Sequence, residues 1–368
     1  MRCPWCTLEC VPSRPHTPSR PSIYLDTSTL VYAVKGAQLG TSESRAGARE
    51  LFSLVESVSR RDNLAFSIFH LLELSADGDE DAVRATLAWL DGLPLVWVRP
   101  LERIHDDEDE HWLKVVAGCP NPKPVEPFAP SMLAAFDGIS VTESYQFLRA
   151  ATLPAVFDEI RHAPNLTTRI SDRASRTAAA FNANRSAFVP PGTPDTDVLR
   201  HQESAHQRHR ADLRRRALQA HERLIARADP EYEPLKARLN DVVVPFSDLF
   251  FSTPTSFPLA QIEAAMNRGF IEAAVARTPG SRGFNRLESS FADSFHAQAA
   301  AYCDVFTCDV LTSKWLGEQR RLLGLQPQVV FQGADFPRLV TDLTSAIESA
   351  QRERLGEYRG GAEEAAGR

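Results

Sequence analysis

Four carboxylates in this chain have the residue type and the sequence context of metal ligands: Asp26, Glu73, Asp293 and Asp309. Each lies in or beside an apolar run, where a charged side chain is costly to bury unless a positive group compensates it. Divalent cations such as Mg²⁺ prefer oxygen ligands and use a few carboxylates together with water and phosphate oxygens. The four residues therefore predict a site in which Mg²⁺ or Mn²⁺ activates a water for phosphodiester hydrolysis.

The first two acids are associated with predicted strands. Residues 23–25 are an apolar run that predicts a short strand, so Asp26 stands at its carboxyl end. Residues 64–66 predict a second strand, and residues 69–74 an apolar helix that contains Glu73. Open α/β sheets build their binding sites at the carboxyl ends of the strands. We therefore expect Asp26 and Glu73 to share one rim of a sheet.

The other two acids lie near the end of the chain. Asp293 begins an Ala-rich helical pattern, and residues 305–307 predict a strand that leads to Asp309. Thr307 points to the same face of that strand as Asp309, so it is predicted to support a carboxylate or a water. His296, one helical turn after Asp293, could contact a substrate phosphate, but a lone His near a helix start favours the interpretation as a polar surface residue.

The order of these motifs resembles that of the PIN domain family of nucleases. The motifs are a strand ending in Asp-Thr, a Ser followed six residues later by Glu in an apolar helix, an Asp before an Ala-rich helix, and Thr-x-Asp closing a strand. The resemblance covers residues 22–105 and 286–350. It implies a three-layer α/β/α domain with a parallel sheet, in which Asp26, Glu73, Asp293 and Asp309 bind Mg²⁺ or Mn²⁺. It also implies RNA cleavage that leaves a 5′-phosphate and a 3′-hydroxyl, and many family members are toxins of toxin–antitoxin pairs.

The chain departs from the family pattern in two respects. Ser28 stands where the family often has Asn, and its hydroxyl can still orient a carboxylate. The gap between Glu73 and Asp293 is several times what a small PIN domain needs. This gap implies a mostly helical inserted subdomain, which could cap, gate or re-aim the site. Neither departure removes an acid, so an active enzyme is the favoured interpretation.

Other functions fit parts of the same pattern. Asp26 or Asp293 alone could complement a helix N-terminus, and Asp309 alone could open a turn. The whole chain could be a non-catalytic PIN-like scaffold that binds RNA or protein, or a DNA structure-specific nuclease. A haloacid-dehalogenase-like phosphatase is disfavoured, because that family needs a second Asp at the position that Ser28 occupies.

The composition is typical of a soluble intracellular protein. The net charge is −7, 43% of the residues are hydrophobic, and no apolar stretch predicts a membrane span or a signal peptide. We therefore expect a cytoplasmic protein without membrane association. RNA is the expected substrate, while an antitoxin or other protein partner and a homodimer are left open.

Pro-rich breaks and charge runs divide the chain into five parts. These are a disordered leader (1–21), the first part of the core (22–105), a helical insertion (106–285), the second part of the core (286–355) and a disordered tail (356–368). The run HDDEDEH at 105–111 is interpreted as a solvated face.

An Arg-rich helix is predicted over residues 199–227 of the insertion. Arg208, Arg214 and Arg215 are predicted to contact nucleic-acid phosphates, which would make binding depend on salt. A long solvated helix is the alternative, because the arginines spread around most of its circumference.

Three cysteines near the start of the chain, Cys3, Cys6 and Cys10, precede His16. Together they contain the residue types of a Zn²⁺ site. Their cramped spacing and the lack of a second Cys-x-x-Cys pair favour a disordered leader instead.

Overall fold

The structure is a computed structural model of the chain. It describes residues 20–39, 45–76, 78–116, 122–137, 152–162, 257–263, 287–323, 328–331 and 336–366, together with positions 215, 218–219, 222–223, 226, 265–266 and 269. Most of the leader, with Cys3, Cys6 and Cys10, lies outside the described residues, as do Arg208 and Arg214.

The centre of the fold is a mostly parallel sheet. Its strands are β1 (Ser22–Tyr24), β2 (Asn63–Phe66), β3 (Leu95–Val98), β4 (Phe128–Ala129), β5 (Val305–Cys308) and β6 (Gln328–Phe331), in the order β4-β3-β2-β1-β5-β6. Every pairing is parallel except that of β4 with β3. The predicted α/β class is confirmed. The family resemblance implies a parallel sheet, and the antiparallel edge strand β4 corrects this expectation.

Helices connect the strands. They are α1 (Thr27–Val34), which continues into a π-helical turn (Lys35–Leu39), α2 (Arg45–Arg61), α3 (Ile68–Ala76), α4 (Glu80–Asp91), α5 (Leu101–Val116), α6 (Met132–Ala135), α7 (Leu153–His162), α8 (Leu287–Ala299), α9 (Val310–Leu323) and α10 (Phe336–Ala366). Residues 258–263 are also helical. Within the described part of the chain, no helix is long and apolar enough to cross a membrane.

A hydrophobic cluster lies on each face of the sheet, because successive strand residues point to opposite sides. Ile23, Leu25 and Val305 belong to the cluster that contains side chains of α1, α2, α4 and α10. Tyr24 and Phe306 belong to the other cluster, with side chains of α5, α8 and α9. Both faces of the sheet are therefore covered, which explains why its central strands are apolar throughout.

The order in which the strands follow one another across the sheet reverses at β1. Ile23 pairs with Leu64 of β2 on one side and with Val305 of β5 on the other, so the strand order runs outwards from β1 in both directions. Such a reversal creates a crevice at the carboxyl ends of the two central strands. Asp26 and Asp309 follow these two strands, so both stand at the crevice.

The ends of β1 and β5 opposite the crevice are joined by a buried ion pair. Arg354 of α10 donates to Asp304 Oδ1 over 2.7 Å, and the N–H of Ser22 donates to Asp304 Oδ2 over 2.8 Å. Both charged side chains are about 5% exposed. One carboxylate thus ties α10, β1 and β5 together.

The acidic run at 105–111 is only in part the solvated face predicted from its charge pattern: Asp106 is exposed, but another face of the run is buried. The run lies within α5, where Glu108 is fully buried and Asp109 is 1% exposed. The carboxylate of Glu108 accepts hydrogen bonds from the N–H of Leu259 over 2.7 Å and from Tyr302 Oη over 2.8 Å. The expectation fails there because residues 257–263, about 150 positions later, cover this face of the helix.

The domain division stays a prediction, to which the structure adds four observations. The boundary between 105 and 106 falls inside α5, and β4 from the predicted insertion joins the sheet. Arg84 of α4 pairs with Asp158 of α7 over 2.8 Å, so α7 also contacts the core. Helix α10 continues to Ala366, through most of the segment 356–368 for which the sequence predicts disorder.

Candidate metal centre

Asp26 occupies the N-cap position of α1, but its side chain makes no capping hydrogen bond. The carboxylate instead accepts a hydrogen bond from the hydroxyl of Ser28, which is the orienting role expected from the sequence. Thr307 Oγ1 accepts a hydrogen bond from the N–H of Asp26 over 2.8 Å. Burial raises the pKa of Asp26 against the opposing charge of His296 and the hydrogen bond from Ser28.

Glu73 lies one strand away, on α3, and contacts a buried histidine. His296 Nε2 of α8 is 3.1 Å from Glu73 Oε2. Burial is the largest influence on Glu73 and opposes its ionisation, but the charge and contact of His296, with smaller contributions from Thr27 and His70, together lower the pKa of Glu73 to about 2. Burial likewise opposes a charge on His296, while the carboxylates of Glu73, Asp26 and Asp293 raise its pKa above the usual value. In the absence of a metal ion, these two side chains form an ion pair.

Asp293 lies on α8 one turn before His296, so both side chains share a face of the helix. Burial raises the pKa of Asp293 to about 8, and repulsion from Asp309, Asp26 and Glu73 adds to the effect. The other three predicted acids are therefore all close enough to Asp293 to disfavour its charge. The structure thus brings the four predicted carboxylates to the same crevice.

Asp309 is the most exposed of the four acids. It follows β5, and its Oδ1 accepts a hydrogen bond from the N–H of Thr312 over 2.7 Å, so it also starts helix α9. Asp309 therefore does have the structural role that an isolated Asp at this position would have, which is to cap the start of a helix. It coexists with the proximity of Asp309 to Asp293, as the repulsion between them indicates.

A chain of buried polar groups lies beneath the acids. Tyr24 Oη is 2.7 Å from His296 Nδ1 and 2.7 Å from Ser67 Oγ. His70 Nδ1 accepts a hydrogen bond from the N–H of Ser67, and His70 Nε2 donates to the carbonyl oxygen of Leu25 over 2.7 Å. This pattern requires neutral His70, and burial, together with the charge of His296, lowers its pKa to about 3. These hydrogen-bonded side chains connect β1, α3 and α8 directly behind the site.

The interpretation of His296 as a polar surface residue is wrong, since it is 1% exposed. The small side chains Ala297 and Ala300 let α8 lie close against the sheet, which places the imidazole between Tyr24 and Glu73. No role at the site was predicted from the sequence for Tyr24 or His70, and Ser67 was predicted only as the Ser six residues before Glu73. Two features of the sequence could have indicated these residues. Polar residues lie at the ends of two adjacent apolar strands, and His296 lies one helical turn after Asp293.

Among the described residues, Asp26, Glu73 and His296 form a group that could hold a metal ion. One ligand atom from each lies within 4.8 Å of the others. Carboxylate oxygens and an imidazole nitrogen are both ligands of divalent cations. The donor set therefore fits a divalent cation, whose charge would also relieve the repulsion among the acids.

The predicted nucleic-acid helix is described only at isolated positions. Arg215 is exposed and helical. Arg223 from the same predicted helix pairs with Asp106 of α5 over 2.8 Å. One arginine of the segment thus contacts the acidic run rather than solvent alone, while the predicted roles of Arg208, Arg214 and Arg215 stay predictions.

No protein-family model, curated protein or solved structure matches the chain. The assignment of a function therefore depends on the residues of the crevice and their geometry.

Proposed function

We propose that the protein is a metal-dependent ribonuclease with a PIN-like, three-layer α/β/α core. The observation that carries this proposal is the group formed by Asp26, Glu73 and His296, whose ligand atoms lie within 4.8 Å of one another at the strand-order reversal. A crevice with this donor set suits a divalent cation and a phosphate ester. The resemblance of the four acidic motifs to PIN nucleases supports RNA as the substrate.

Each of the four acids has a distinct part in the proposal. Asp26 and Glu73 would hold the cation, since one carboxylate oxygen of each lies within 4.8 Å of the other and of a ring nitrogen of His296. Asp293, whose pKa of about 8 reflects burial and repulsion by its neighbours, would lose its proton when a cation binds. Asp309 lies at the exposed edge, where an incoming phosphate can approach. A bound divalent cation would supply a water of lowered pKa and neutralise charge on the phosphate.

The residues behind the acids hold the site in one arrangement. Ser28 fixes one oxygen of Asp26, and Thr307 fixes its backbone. Tyr24 fixes the ring of His296, which in turn contacts Glu73. Because catalytic geometry tolerates little displacement, such support is expected around a hydrolytic centre.

The test is cleavage of a mixture of structured and single-stranded RNA and DNA by the full-length protein. Reactions contain Mn²⁺, Mg²⁺ or EDTA and compare the wild type with Asp26→Asn. Asp342→Asn is the matched control, because it changes an exposed carboxylate on α10. We expect metal-dependent RNA cleavage by the wild type and the control, and none by Asp26→Asn.

Other results would redirect the proposal. Cleavage of DNA alone would identify a DNA nuclease with the same site. Absence of cleavage for every substrate, or equal cleavage by the wild type and Asp26→Asn, would reject this site as catalytic. Tight RNA binding under those conditions would favour a non-catalytic scaffold.

A further inference from the structure

The imidazole of His296 is the least expected group in the crevice. His296 is 1% exposed, and among the described residues its Nε2 has no partner in hydrogen-bond geometry. Its neighbour is Glu73 Oε2 at 3.1 Å, in a contact that lacks hydrogen-bond geometry. A buried nitrogen without a hydrogen bond is costly unless another partner compensates it. Nε2 therefore faces the two carboxylates in a place where a cation would find three ligand atoms.

The opposite edge of the ring is fixed. Tyr24 Oη lies 2.7 Å from Nδ1, and Ser67 Oγ lies 2.7 Å from the same Tyr24 oxygen. Histidines that bind metal ions with one ring nitrogen usually engage a protein group with the other, which sets the orientation of the ring. The arrangement around His296 has both parts: a held Nδ1 and an Nε2 directed at carboxylates.

We propose that His296 Nε2 is a metal ligand, so that the centre is a mixed nitrogen–oxygen site selective for first-row transition-metal cations over Mg²⁺. The inference rests on the proposed metal-dependent function and specifies its cofactor. Mg²⁺ prefers oxygen ligands, whereas imidazole nitrogen suits transition metals such as Co²⁺ and Zn²⁺. Coordination forms a metal–nitrogen bond at Nε2 and releases to solvent the proton that this nitrogen carries in the metal-free protein.

The alternative is that His296 only pairs with Glu73 and positions its carboxylate. In that case the cation would meet oxygen ligands alone, and the choice between Co²⁺ and Mg²⁺ would not depend on the histidine. The two interpretations therefore differ in metal selectivity and in the atom that is bonded to the metal.

Metal binding is measured first by calorimetry with Co²⁺ and with Mg²⁺. The proteins are the wild type, His296→Gln and the control His105→Gln, which changes a histidine on α5 beside Glu108 and Glu263. We expect His296→Gln to weaken Co²⁺ binding by more than about 100-fold, because removal of a residue that only positions a ligand costs about 10- to 100-fold. Mg²⁺ binding should change much less, and His105→Gln should match the wild type.

Electron spin echo spectroscopy of bound Mn²⁺ then identifies the bonded atom without any variant. Wild-type protein should show nitrogen coupling, and the coupling should change from ¹⁴N to ¹⁵N when only the histidines are ¹⁵N-labelled. This measurement decides the question even where His296→Gln fails to fold.

The outcomes separate this inference from the proposed function. Metal-dependent cleavage with no nitrogen coupling, and the same ratio of Co²⁺ to Mg²⁺ affinity in His296→Gln, would overturn the ligand role and leave the nuclease standing. Failure of the wild type to bind any of the three cations would overturn both. Nitrogen coupling in a protein that cleaves nothing would support the ligand role and reject the nuclease.

Discussion

The backbone N–H of Asp26 donates a hydrogen bond to Thr307 Oγ1 over 2.8 Å, although 281 residues separate them in the chain. The same hydroxyl lies 3.1 Å from Thr29 Oγ1. Thr307 is fully buried on β5. Asp26 lies just after the end of β1, the strand that pairs with β5. A side chain from one half of the core thus holds the backbone of the first predicted metal ligand in the other half.

Replacing Thr307 with Val should remove the hydrogen bond to Asp26 while it keeps a side chain of nearly the same shape. The N–H of Asp26 would lose its acceptor, so we expect the free energy of unfolding to fall by about 1–3 kcal/mol. Divalent-metal affinity should fall as well, because Asp26 is less firmly held. Urea denaturation and calorimetry measure the two effects. Thr307→Ser keeps the hydroxyl and should retain most of the metal affinity, and equal losses in both variants would contradict this role.

Asp293→Asn should stabilise the metal-free protein in a pH-dependent manner. The pKa of Asp293 is about 8 in the fold, far above its usual value, because of burial and three neighbouring acids. Its contribution to stability is therefore present below about pH 4 and is lost as the pH rises through 8. We expect the variant to exceed the wild type by an increasing margin from pH 5 to pH 9 in EDTA. Thermal unfolding at fixed pH values measures this margin.

The same substitution should abolish activity while it stabilises the fold. Asn cannot lose a proton to neutralise a cation, so metal binding and the proposed cleavage should both be lost. Lower stability of Asp293→Asn at pH 9 would be inconsistent with repulsion at this site.

Glu108→Gln should stabilise the protein only at neutral and higher pH. Burial raises the pKa of Glu108 to about 7, against the nearby charge of His105. Its stabilising contribution is complete below about pH 4.5 and is lost as the pH rises through 7. Gln keeps a carbonyl acceptor for Leu259 and Tyr302, so the variant should match the wild type at pH 5. At pH 8 it should be more stable by up to about 3 kcal/mol, as measured by urea denaturation.

Glu108 lies in α5 and outside the group of potential metal ligands. Metal affinity at pH 7 is therefore the control for Glu108→Gln, and it should not change. A variant that is less stable than the wild type at pH 8 would indicate that the buried carboxylate is charged and stabilising.

Arg354→Met should destabilise the protein strongly. Arg354 and Asp304 form an ion pair in which both side chains are about 5% exposed, so removal of the cation leaves a buried carboxylate uncompensated. The expected loss is about 3–5 kcal/mol in the free energy of unfolding. The double variant Asp304→Asn, Arg354→Met should recover part of it, because Asn still accepts from the N–H of Ser22. A double variant as unstable as the sum of the single variants would refute the coupling.

The sequence was sufficient to predict the elements that carry the acids. Apolar runs bounded by polar residues predicted strands close to β1, β2 and β5, and helical spacing predicted helices close to α3 and α8. Strand ends are local features, so the placement of Asp26 after β1 followed from a few neighbouring residues. To predict that the acids share one crevice, only one further rule was needed, namely that parallel strands end at the same edge of a sheet.

The buried histidine was not predictable by the same reasoning. Whether His296 is exposed depends on Tyr24, which is 272 residues away, and on how closely α8 approaches the sheet. The burial of Glu108 depends in the same way on Leu259, which is 151 residues away. Single-sequence patterns describe neighbours within a few turns, so a polar residue covered by a distant segment looks like a surface residue.

The adjacency of β1 and β5 has a consequence for synthesis of the chain on the ribosome. β1 is made early, but its neighbour β5 and the hydroxyl that holds Asp26 follow about 280 residues later. Pairings of such long sequence separation form late in folding, because loop closure precedes any gain from contact. The crevice is thus completed only after the segment around Thr307 has been synthesised. For a protein proposed to cut RNA, this order of events delays activity until long after Asp26 and Glu73 have been made.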